Sequence, residues 1–491
     1  MAEIQMSSLG LVEEWRKPAH GTQYLAALSA SMGAMAVGAA IGYSSPASAA
    51  LLAKPPVDNT TANTTSAPDW LAGNEEQLDL QLTAMENNWF AASLSAGALV
   101  GCMIAGFSLN TLGRKGTMLA SVVPLMLGWA LIGFAQNIGM LVTGRVLCGL
   151  CTGITSLVCP TYTTEYASKD IRGALGSGFQ LFVTIGILFA YLFGALVDSW
   201  RWLVLVCASV GGVYLLLAVF IKESPTFLLS KGKEEGARAS MQYFRGKSYD
   251  IEPEMNALKE SLEEAAKNKV SFSDLKEPYI LKPLVITLAL MVFQQLAGVN
   301  AVIYNINLIF QASGTSISDD LSSIIVGIVQ VLATAAGSLM IDRVGRKILL
   351  CFSAFAMSVS IISLGVFFYI KSTDESFAQD VLGWLPLTSL MVFISAFSVG
   401  YGPIPWVMMG ELFYPNVKEA AGSMATTLNW TFVFIVTFVF APLQDAIHDY
   451  GAYWLFGGLC AVNFLFCVFF VPETKGRTLQ ETMAHFGGPA A

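Results

Sequence analysis

The chain has 491 residues and a formal net charge of -8, and 54% of its residues are hydrophobic while only 13% are charged. Soluble domains carry about 25% charged residues and disordered chains are poor in apolar side chains, so this composition excludes both an ordinary soluble enzyme and a disordered protein. The negative net charge also offers no basic surface for nucleic-acid phosphates. Because the chain is so rich in hydrophobic residues, most of it is expected to lie in a lipid bilayer.

Twelve apolar stretches follow one another along the chain, separated by Gly, Pro and clusters of charged residues. A helix needs about 20 mostly apolar residues to cross the bilayer, whereas the strands of a membrane barrel are much shorter. These lengths predict an all-α membrane protein with twelve transmembrane helices. In chain order the predicted spans are 23–44, 88–109, 117–137, 140–163, 174–197, 201–221, 283–311, 322–341, 348–370, 383–410, 420–443 and 451–471.

Positive charges are distributed unequally over the segments between the spans. Only Lys54, Arg201 and Lys371 fall on one side, whereas the other Lys and Arg residues outside the spans fall on the side of both termini. Because cytoplasmic segments are enriched in Lys and Arg, the side of the termini is predicted to be cytoplasmic. The predicted cytoplasmic segments are 1–22, the central linker 222–282, and 472–491.

The segment 46–86 is then an external loop, and it contains two glycosylation sequons, at Asn59 and Asn63. A third sequon, at Asn429, lies within a span and is predicted to stay unused. All eight cysteines also fall within spans, where thiols act as small apolar fillers, so no disulfide framework, metal site or cofactor is predicted. They are Cys102, Cys148, Cys151, Cys159, Cys207, Cys351, Cys460 and Cys467.

Three charged motifs recur in the same order, and at a nearly constant separation, in the two halves of the chain. This repetition predicts a duplicated unit of six spans, which forms two pseudo-symmetric bundles over 23–221 and 283–471. The polar, helix-prone linker 222–282 is expected to carry short cytoplasmic helices, one of them capped by Ser224. The motifs are Gly113-Arg114-Lys115 and Gly345-Arg346-Lys347, Glu165 with Arg172 and Glu411 with Lys418, and Glu223-Ser224-Pro225 and Pro472-Glu473-Thr474.

The recurring charges lie where the cytoplasmic ends of the spans are expected to converge. Ion pairs among them form only while those ends stay together, so we interpret them as a conformational latch that is made and broken between two packed arrangements. The alternative is that they are membrane anchors and solvated loops. The expected gate residues are Arg114, Glu165, Arg172, Glu223, Arg343, Arg346, Glu411 and Glu473.

Several motifs together resemble those of a known family. They are the repeated Gly-Arg-Lys, Glu223-Ser-Pro, Gln294-Gln295-Leu-Ala-Gly298-Val-Asn300, Gly402-Pro403-Ile-Pro405-Trp406 and Pro472-Glu-Thr-Lys-Gly-Arg477. Over residues 22–480 the chain resembles the sugar porters of the major facilitator superfamily, and among these it is most similar to arthropod facilitated trehalose transporters. The resemblance implies a plasma-membrane sugar transporter that works by alternating access, is not an enzyme, and has no obligate protein partner.

Neutral amides inside the spans are the candidate sugar ligands. An amide both donates and accepts hydrogen bonds, as a sugar hydroxyl does, and its burial in the membrane is less unfavourable than that of a charge. The resemblance implies that six such residues bind the hydroxyls, whereas the alternative role of an intramembrane amide is hydrogen bonding between helices. They are Gln180, Gln294, Gln295, Asn300, Gln330 and Asn429.

The fifth and seventh spans carry four of these amides. In the fifth span, Gln180 and Thr184 are four residues apart, so one face of the helix is polar. In the seventh span, Gln294 and Asn300 do not share a face on a straight helix. Either this helix is broken near Gly298, or two of its faces meet the cavity and a partner helix separately.

Aromatic residues of the tenth and eleventh spans complete the predicted site. Pro403 and Pro405 lack N–H donors, which predicts a bent backbone next to Trp406. The resemblance implies that the ring of Trp406 covers the apolar face of a sugar, and that Phe397 and Trp430 line the same cavity. The alternative for Trp406 is a place in the interfacial belt.

The first span determines the predicted driving force. Proton-coupled members of the resembled family carry an Asp directly after Gly-Tyr, positioned to interact with an Arg of the fourth span, which is Arg145 here. This chain has Ser44 at that position, and Ser cannot hold a carboxylate proton. We therefore expect uncoupled transport, of trehalose by the resemblance. A hexose facilitator, a proton-coupled symporter and a non-transporting sugar receptor are the alternatives.

Overall fold

A computed structural model describes residues 18–52, 80–168, 170–197, 199–267, 277–314, 317–413 and 415–477, together with Glu481 and Phe486. Within these residues the regular elements are helices, apart from one isolated bridge between Leu52 and Leu82. The predicted glycosylation sites, Asn59 and Asn63, lie outside the described residues. The all-α prediction is confirmed.

The first six spans form the N-terminal bundle. The first span stays helical past its predicted end at residue 44. Pro46 is compatible with this, because it lies in the first turn of a second helical segment, where its missing N–H is tolerated. The predicted loop 46–86 is therefore too long, since residues 46–51 and 84–86 are helical. The helices are Gly21–Gly42 with Ser44–Leu51, Ala84–Thr111, Gly113–Gly133, Ile138–Tyr166, Arg172–Leu196 and Trp200–Phe220.

The last six spans form the C-terminal bundle; two of them are interrupted and two are joined. The seventh span is Pro278–Leu296, Val299–Tyr304 and Ile306–Ser313, and the tenth is Leu385–Ala396, a π-helical turn Phe397–Tyr401, and Ile404–Glu411. The eighth and ninth are Asp319–Val344 and Arg346–Thr373. The helix Pro415–Phe470 holds both the eleventh and the twelfth spans, which are divided by non-helical backbone at Ile447 and His448.

Along the chain, three short helices connect the two bundles, as the polar composition of the linker predicted. They are Pro225–Ser230, Glu234–Arg245 and Glu252–Lys267. They pack against the N-terminal bundle. The ring of Phe244 stacks on Tyr166 at 4.9 Å, and the Gln23 side chain donates to the Phe244 carbonyl at 3.0 Å. We call the side of the molecule that carries these helices the linker face and the opposite side the far face.

Glycines let the second and fourth spans approach until their backbones touch. A Cβ atom at Gly149 would overlap the carbonyl oxygen of Leu94, and one at Gly153 would overlap that of Ala98. Without an apolar driving force between helices in lipid, such close packing supplies much of the association. The second and fourth spans are consequently the most closely packed pair in this bundle.

Gly153→Ala is expected to lower the thermal unfolding midpoint of the purified protein in detergent, because overpacking costs about 1–3 kcal/mol. The matched control is Gly106→Ala in the second span, where an added Cβ meets no atom within 4 Å. This control should leave the midpoint unchanged or raise it, since Ala is the better helix former. Equal midpoints for both variants would contradict the packing argument.

Candidate functional site

The seventh span is broken at Gly298, as one of the two sequence alternatives required. Gly298 has φ +83°, in the left-handed region, and a Cβ there would lie 2.9 Å from the Phe456 ring. A second irregularity follows at Asn305, with φ -119° and ψ 18°. The seventh span therefore consists of three helical segments rather than one straight helix.

Four of the six predicted amides form one hydrogen-bonded network. Asn300 Nδ2 donates to Gln295 Oε1 at 2.6 Å, and Gln295 Nε2 donates to Asn429 Oδ1 at 3.3 Å. Asn429 Nδ2 donates to Gln294 Oε1 at 2.7 Å. Gln294, Gln295 and Asn429 are buried, whereas Asn300 is half-buried. The network joins the seventh and eleventh spans and is electrically neutral.

The Gln294 side chain also bonds to the backbone at the break in the tenth span. Its Nε2 donates to the carbonyl oxygens of Tyr401 at 2.8 Å and of Gly402 at 2.9 Å. Because Pro405 has no N–H, the Tyr401 carbonyl lacks its usual helical donor. Gln294 thus uses both of its amide protons between helices, which is the alternative role that the sequence left open. Its role as a direct sugar ligand stays a prediction.

The other predicted ligands stand outside this network. Among the described residues, the side chains of Gln180 and Gln330 make no hydrogen bond, although Gln330 is buried. Trp430 is only 8% exposed and its Nε1 donor has no partner. Phe397 is also buried, and Trp406 is half-buried in the helix Ile404–Glu411 that follows the π-helical turn. Trp430 packs against Ala98 and Cys102 of the second span, so it lies between the bundles.

Hydrogen bonds between the bundles lie on the far-face side of the amide network. Among the described residues there are four such contacts, and ring packing of Trp89 on Phe438, with centroids 4.6 Å apart, adds to them. The bundles are therefore closed at the far face in this structure. The contacts are Ser45 with Asn307, Asn88 with the Phe438 carbonyl, Ser95 with Tyr304, and Tyr191 with the Ile303 carbonyl.

Arg145 is fully buried in the N-terminal bundle beside Ser44. Its guanidinium donates to the Ala40 carbonyl at 2.7 Å and to the Ser44 hydroxyl. It also lies 5.1 Å from the centroid of the Phe90 ring and 5.9 Å from that of Tyr43. The described part of the chain supplies no carboxylate to this cation, and neutral acceptors and aromatic faces stabilise it.

On the linker face, the N-terminal motif charges form a compact cluster. Arg114 donates to Glu165 Oε1 from Nε at 3.0 Å and from Nη2 at 2.5 Å. The Glu223 carboxylate accepts from the backbone N–H groups of Arg114 at 2.9 Å and Lys115 at 3.1 Å. The Ser224 hydroxyl donates to the second oxygen of Glu165.

The C-terminal half repeats this arrangement. Arg346 Nη2 donates to Glu411 Oε1 at 2.8 Å, and Thr474 Oγ1 donates to the other Glu411 oxygen at 2.6 Å. Glu473 accepts from the N–H groups of Arg346 at 3.0 Å and Lys347 at 3.1 Å. Partial burial raises the pKa of the Glu473 carboxyl, but these N–H donors outweigh it, so that pKa lies below its ordinary value.

Among the described residues, the carboxylates of each cluster bond to groups of one bundle and of the segment that follows it. The expected latch compares two arrangements of the bundles, and this structure describes one of them, in which both clusters are formed while the bundles touch at the far face. The latch therefore stays a prediction. Two of the expected gate residues do not take part as predicted. Arg172 donates to the Ala167 carbonyl at 3.1 Å, and the exposed Arg343 meets no carboxylate among the described residues.

Sequence analysis missed the hydroxyls that complete these clusters. Ser224 was predicted only as a helix cap, a role it fills by accepting from the Phe227 N–H at 3.3 Å. The signal was present, because a hydroxyl follows the motif glutamate in both halves, as Ser224 after Glu223 and as Thr474 after Glu473.

The sequence profile of the family described as "Sugar (and other) transporter" matches residues 26–486, which is nearly the whole chain. The chain belongs to this family. The interrupted seventh and tenth spans and the repeated charge clusters are thus features of a multi-pass membrane transporter.

Curated relatives match the transporter over most of its length. The facilitated trehalose transporters Tret1 of Polypedilum vanderplanki and Bombyx mori are each 40% identical to it, over 94% of this chain and 87% and 86% of theirs. The Tret1 of Anopheles gambiae is 39% identical over 94% of this chain. The chain spans 55% of the length of that Anopheles relative.

Solved structures show the same fold. The xylose transporter XylE from E. coli in an inward open conformation has a TM-score of 0.73 and 23% identity, covering 94% of this chain and 99% of that one. XylE bound to 6-bromo-6-deoxy-D-glucose, described as a major facilitator superfamily proton:xylose symporter, also has a TM-score of 0.73, with 24% identity over 94% and 99%. The two-bundle, twelve-span fold is confirmed.

Glu223→Ala is expected to lower the thermal unfolding midpoint of the transporter, because it leaves N–H groups at the start of the third span without their acceptor. Losing such acceptors costs about 1–3 kcal/mol. Glu235→Ala, at an exposed position of the linker, is the control and should leave the midpoint unchanged. A midpoint for Glu223→Ala equal to that of the control would show that the carboxylate does not stabilise this turn.

Proposed function

We propose that this transporter moves trehalose down its concentration gradient across the plasma membrane, by alternating access and without chemical conversion of the sugar. The observation that carries the uncoupled mechanism is the contact of Arg145 with Ser44, where a proton-coupled relative has a carboxylate. The choice of trehalose is supported by relatives at about 40% identity that carry this substrate in their names.

The uncoupled mechanism follows from where the carboxylates lie. The Asp and Glu residues of the described spans are confined to the first or last few residues of their helices. An intramembrane proton carrier needs an ionisable group in the interior. Ser44 does not titrate in the physiological range, so loading and release of a proton have no carrier beside Arg145.

The neutral network suits a ligand rich in hydroxyls. Each amide-to-amide hydrogen bond between Gln295, Asn300 and Asn429 can be exchanged for an amide-to-hydroxyl bond without moving a net charge. The Nε1 of Trp430, which has no partner among the described residues, offers a further hydrogen-bond donor. The exchange lets sugar bind without leaving buried polar groups unsatisfied, which would be unfavourable.

The linker face is proposed to be cytoplasmic and the far face external. The Gly-Arg-Lys turns of both halves lie at the linker face, whereas Arg201 and Lys371 lie at the far face. An excess of Lys and Arg marks the cytoplasmic side. The closed far face then makes the present arrangement one that opens towards the cytoplasm.

In proteoliposomes, labelled trehalose is expected to equilibrate across the membrane without accumulating. Initial uptake should change less than about 2-fold between roughly pH 5.5 and pH 7.5, because no interior carboxyl titrates in this range. The measurement is the time course of uptake at several pH values, with and without a protonophore.

Empty liposomes and an excess of unlabelled trehalose are the controls. Accumulation above the external concentration, or uptake abolished by the protonophore, contradicts the uncoupled mechanism. Faster flux of glucose than of trehalose in the same preparation makes the protein a hexose facilitator. Saturable binding without any flux makes it a receptor.

Trp430→Phe is expected to weaken trehalose binding about 2- to 10-fold, because it keeps a ring but removes a hydrogen-bond donor to the sugar. Since this donor has no partner among the described residues, the thermal midpoint should change little. The control is Trp202→Phe, which alters an exposed ring of the sixth span. Unchanged affinity in Trp430→Phe would remove Trp430 from the set of hydroxyl ligands.

A further inference from the structure

The connection between the ninth and tenth spans differs from its counterpart in the N-terminal half. The third and fourth spans are joined by residues 134–137, whereas 374–384 join the ninth and tenth spans and include a helix, Glu375–Leu382. We call it the surface helix. The ninth span is also longer than the third, with 28 residues against 21. The duplicated unit does not require the surface helix, so its presence in one half needs a reason of its own.

The spans at its two ends determine where the surface helix lies. Asp374 separates it from the ninth span, and Gly383 and Trp384 separate it from the tenth. The 28 residues of the ninth span measure about 42 Å, which matches the roughly 40–45 Å of a bilayer with its headgroups. Because the chain returns to a span within two residues at either end, the surface helix lies along the bilayer boundary at the far face.

One side of the surface helix is apolar and exposed. At about 100° per residue, Phe377, Val381 and Trp384 fall within an arc of about 60°. Trp384 follows the last helical residue but keeps helical backbone angles, with φ -78° and ψ -20°. The three side chains are 47%, 52% and 61% exposed, so the described part of the chain leaves this side uncovered.

A second side faces the C-terminal bundle. Ala378 is fully buried there. Gln379 Nε2 lies so close to the end of the seventh span that a Cβ added to Gly314 would come within 3.0 Å of it. Lys371 Nζ of the ninth span lies 3.6 Å from Glu375 Oε1. These contacts fix the rotation of the surface helix, and its apolar side consequently points away from the protein.

The third side is polar and exposed, and it carries Ser376 and Asp380. The Asp374 carboxylate caps the helix, because it accepts from the Phe377 N–H at 3.0 Å and from the Ser376 hydroxyl at 2.8 Å. Such a side suits water. Large apolar side chains that are grouped and exposed mark contact with lipid or with another protein, so the apolar side requires a different environment.

Aromatic residues beside the surface helix mark the level of the lipid headgroups. The ring of Tyr369, one turn before the end of the ninth span, lies 5.4 Å from that of Tyr450 and 5.6 Å from that of Trp454. Tyr369 and Trp454 are exposed. Tyr and Trp concentrate where a membrane protein meets the headgroups. The apolar side of the surface helix is therefore continuous with a surface that faces lipid.

We propose that the surface helix is an interfacial membrane anchor, whose Phe377, Val381 and Trp384 side chains insert into the headgroup and upper acyl region of the far-face leaflet. Amphipathic helices with aromatic residues on one side bind bilayers in this way. Because the helix is tied to the ninth and tenth spans, it fixes the C-terminal bundle against this leaflet. The connection 134–137 gives the N-terminal bundle no equivalent helix.

The charge of the surface helix specifies the kind of leaflet. Residues 374–384 carry three carboxylates, Asp374, Glu375 and Asp380, and no Lys or Arg. An anionic leaflet attracts basic segments and repels carboxylates held at its surface. The anchor therefore fits zwitterionic headgroups such as phosphatidylcholine.

Collision rates of spin labels show whether lipid, water or protein covers each side. In phosphatidylcholine proteoliposomes, labels at Phe377→Cys, Val381→Cys and Trp384→Cys should collide often with oxygen, which partitions into lipid, and rarely with a water-soluble nickel chelate. We expect the oxygen-to-nickel ratio there to be at least about 3-fold higher than on the polar side, because interfacial helices bury their apolar side about 5–10 Å deep. The matched controls on the polar side are Ser376→Cys and Asp380→Cys.

The other outcomes overturn the anchor. Equal access of the nickel chelate to both sides would show that water covers the apolar side. Low collision rates with both reagents at the three apolar positions would show that protein covers it, either a second copy of the chain or another segment of it. Seven of the eight native thiols are buried and Cys351 is half-buried, so unmodified protein provides the labelling blank.

Lipid composition tests the preference for zwitterionic headgroups. Adding phosphatidylserine should lower the oxygen-to-nickel ratio at the three apolar positions. It should leave the ratio unchanged at Val359→Cys, an exposed position within the ninth span. An unchanged ratio at the apolar positions would overturn this preference.

Tryptophan fluorescence provides a measurement that needs no added thiol. Lipids brominated on the upper acyl chain should quench more emission from the unmodified protein than from Trp384→Phe, because the anchor places the Trp384 indole beside them. The control is Trp200→Phe, which removes a buried indole and should leave the quenched emission unchanged. Equal quenching of Trp384→Phe and unmodified protein would overturn the insertion of Trp384.

These measurements are made without sugar and do not depend on the proposed function. Absence of trehalose flux in proteoliposomes would contradict the proposed function and leave the collision rates and quenching as tests of the anchor. Normal flux with a water-covered apolar side would contradict the anchor alone.

Discussion

The constraint on which this structure depends is that a helix interrupted inside a membrane must find new partners for its freed backbone groups. In the tenth span, the Tyr401 and Gly402 carbonyls receive the amide protons of Gln294. Ser353 of the ninth span accepts a hydrogen bond from the Tyr401 N–H of the tenth span at 3.1 Å. The break in the tenth span is thus matched by polar side chains of the seventh and ninth spans.

The break in the tenth span and the second break in the seventh span differ in where their hydrogen-bond partners come from. The tenth span is satisfied by Gln294 and Ser353, which belong to the same bundle, so its bend is preserved when the bundles move as units. The second break of the seventh span is satisfied by Ser45 and Tyr191 of the other bundle. Among the described residues, this break therefore bonds to the other bundle, whereas the carboxylates of the linker-face clusters bond to groups of their own half of the chain.

Much of this architecture was predictable from the sequence. The span lengths, the duplicated Gly-Arg-Lys turns and a possible break at Gly298 follow from composition, repetition and helical geometry, and the candidate amides are neutral polar residues inside the predicted spans. Helical periodicity does not say which carbonyl an amide will reach, because the freed carbonyls exist only after the tenth span bends. For that reason Gln294 was predicted as a sugar ligand, whereas in the structure it bonds between helices. The pairing of clusters within bundles likewise depends on the fold and not on the motif spacing.

Arg145 shows how a buried charge is compatible with uncoupled transport. Its partners are the Ala40 carbonyl, the Ser44 hydroxyl and the rings of Tyr43 and Phe90, which all belong to the N-terminal bundle. The hydrogen-bond acceptors Ala40 and Ser44 belong to the same bundle as Arg145, so rocking of the bundles against each other does not require these two bonds to break. With an acid at position 44, the protonation of that acid would alter the pairing of Arg145 and link transport to pH. With Ser44, the hydrogen bonds of Arg145 involve no side chain that takes up a proton, and in the proposed uncoupled mechanism the sugar gradient is the source of free energy.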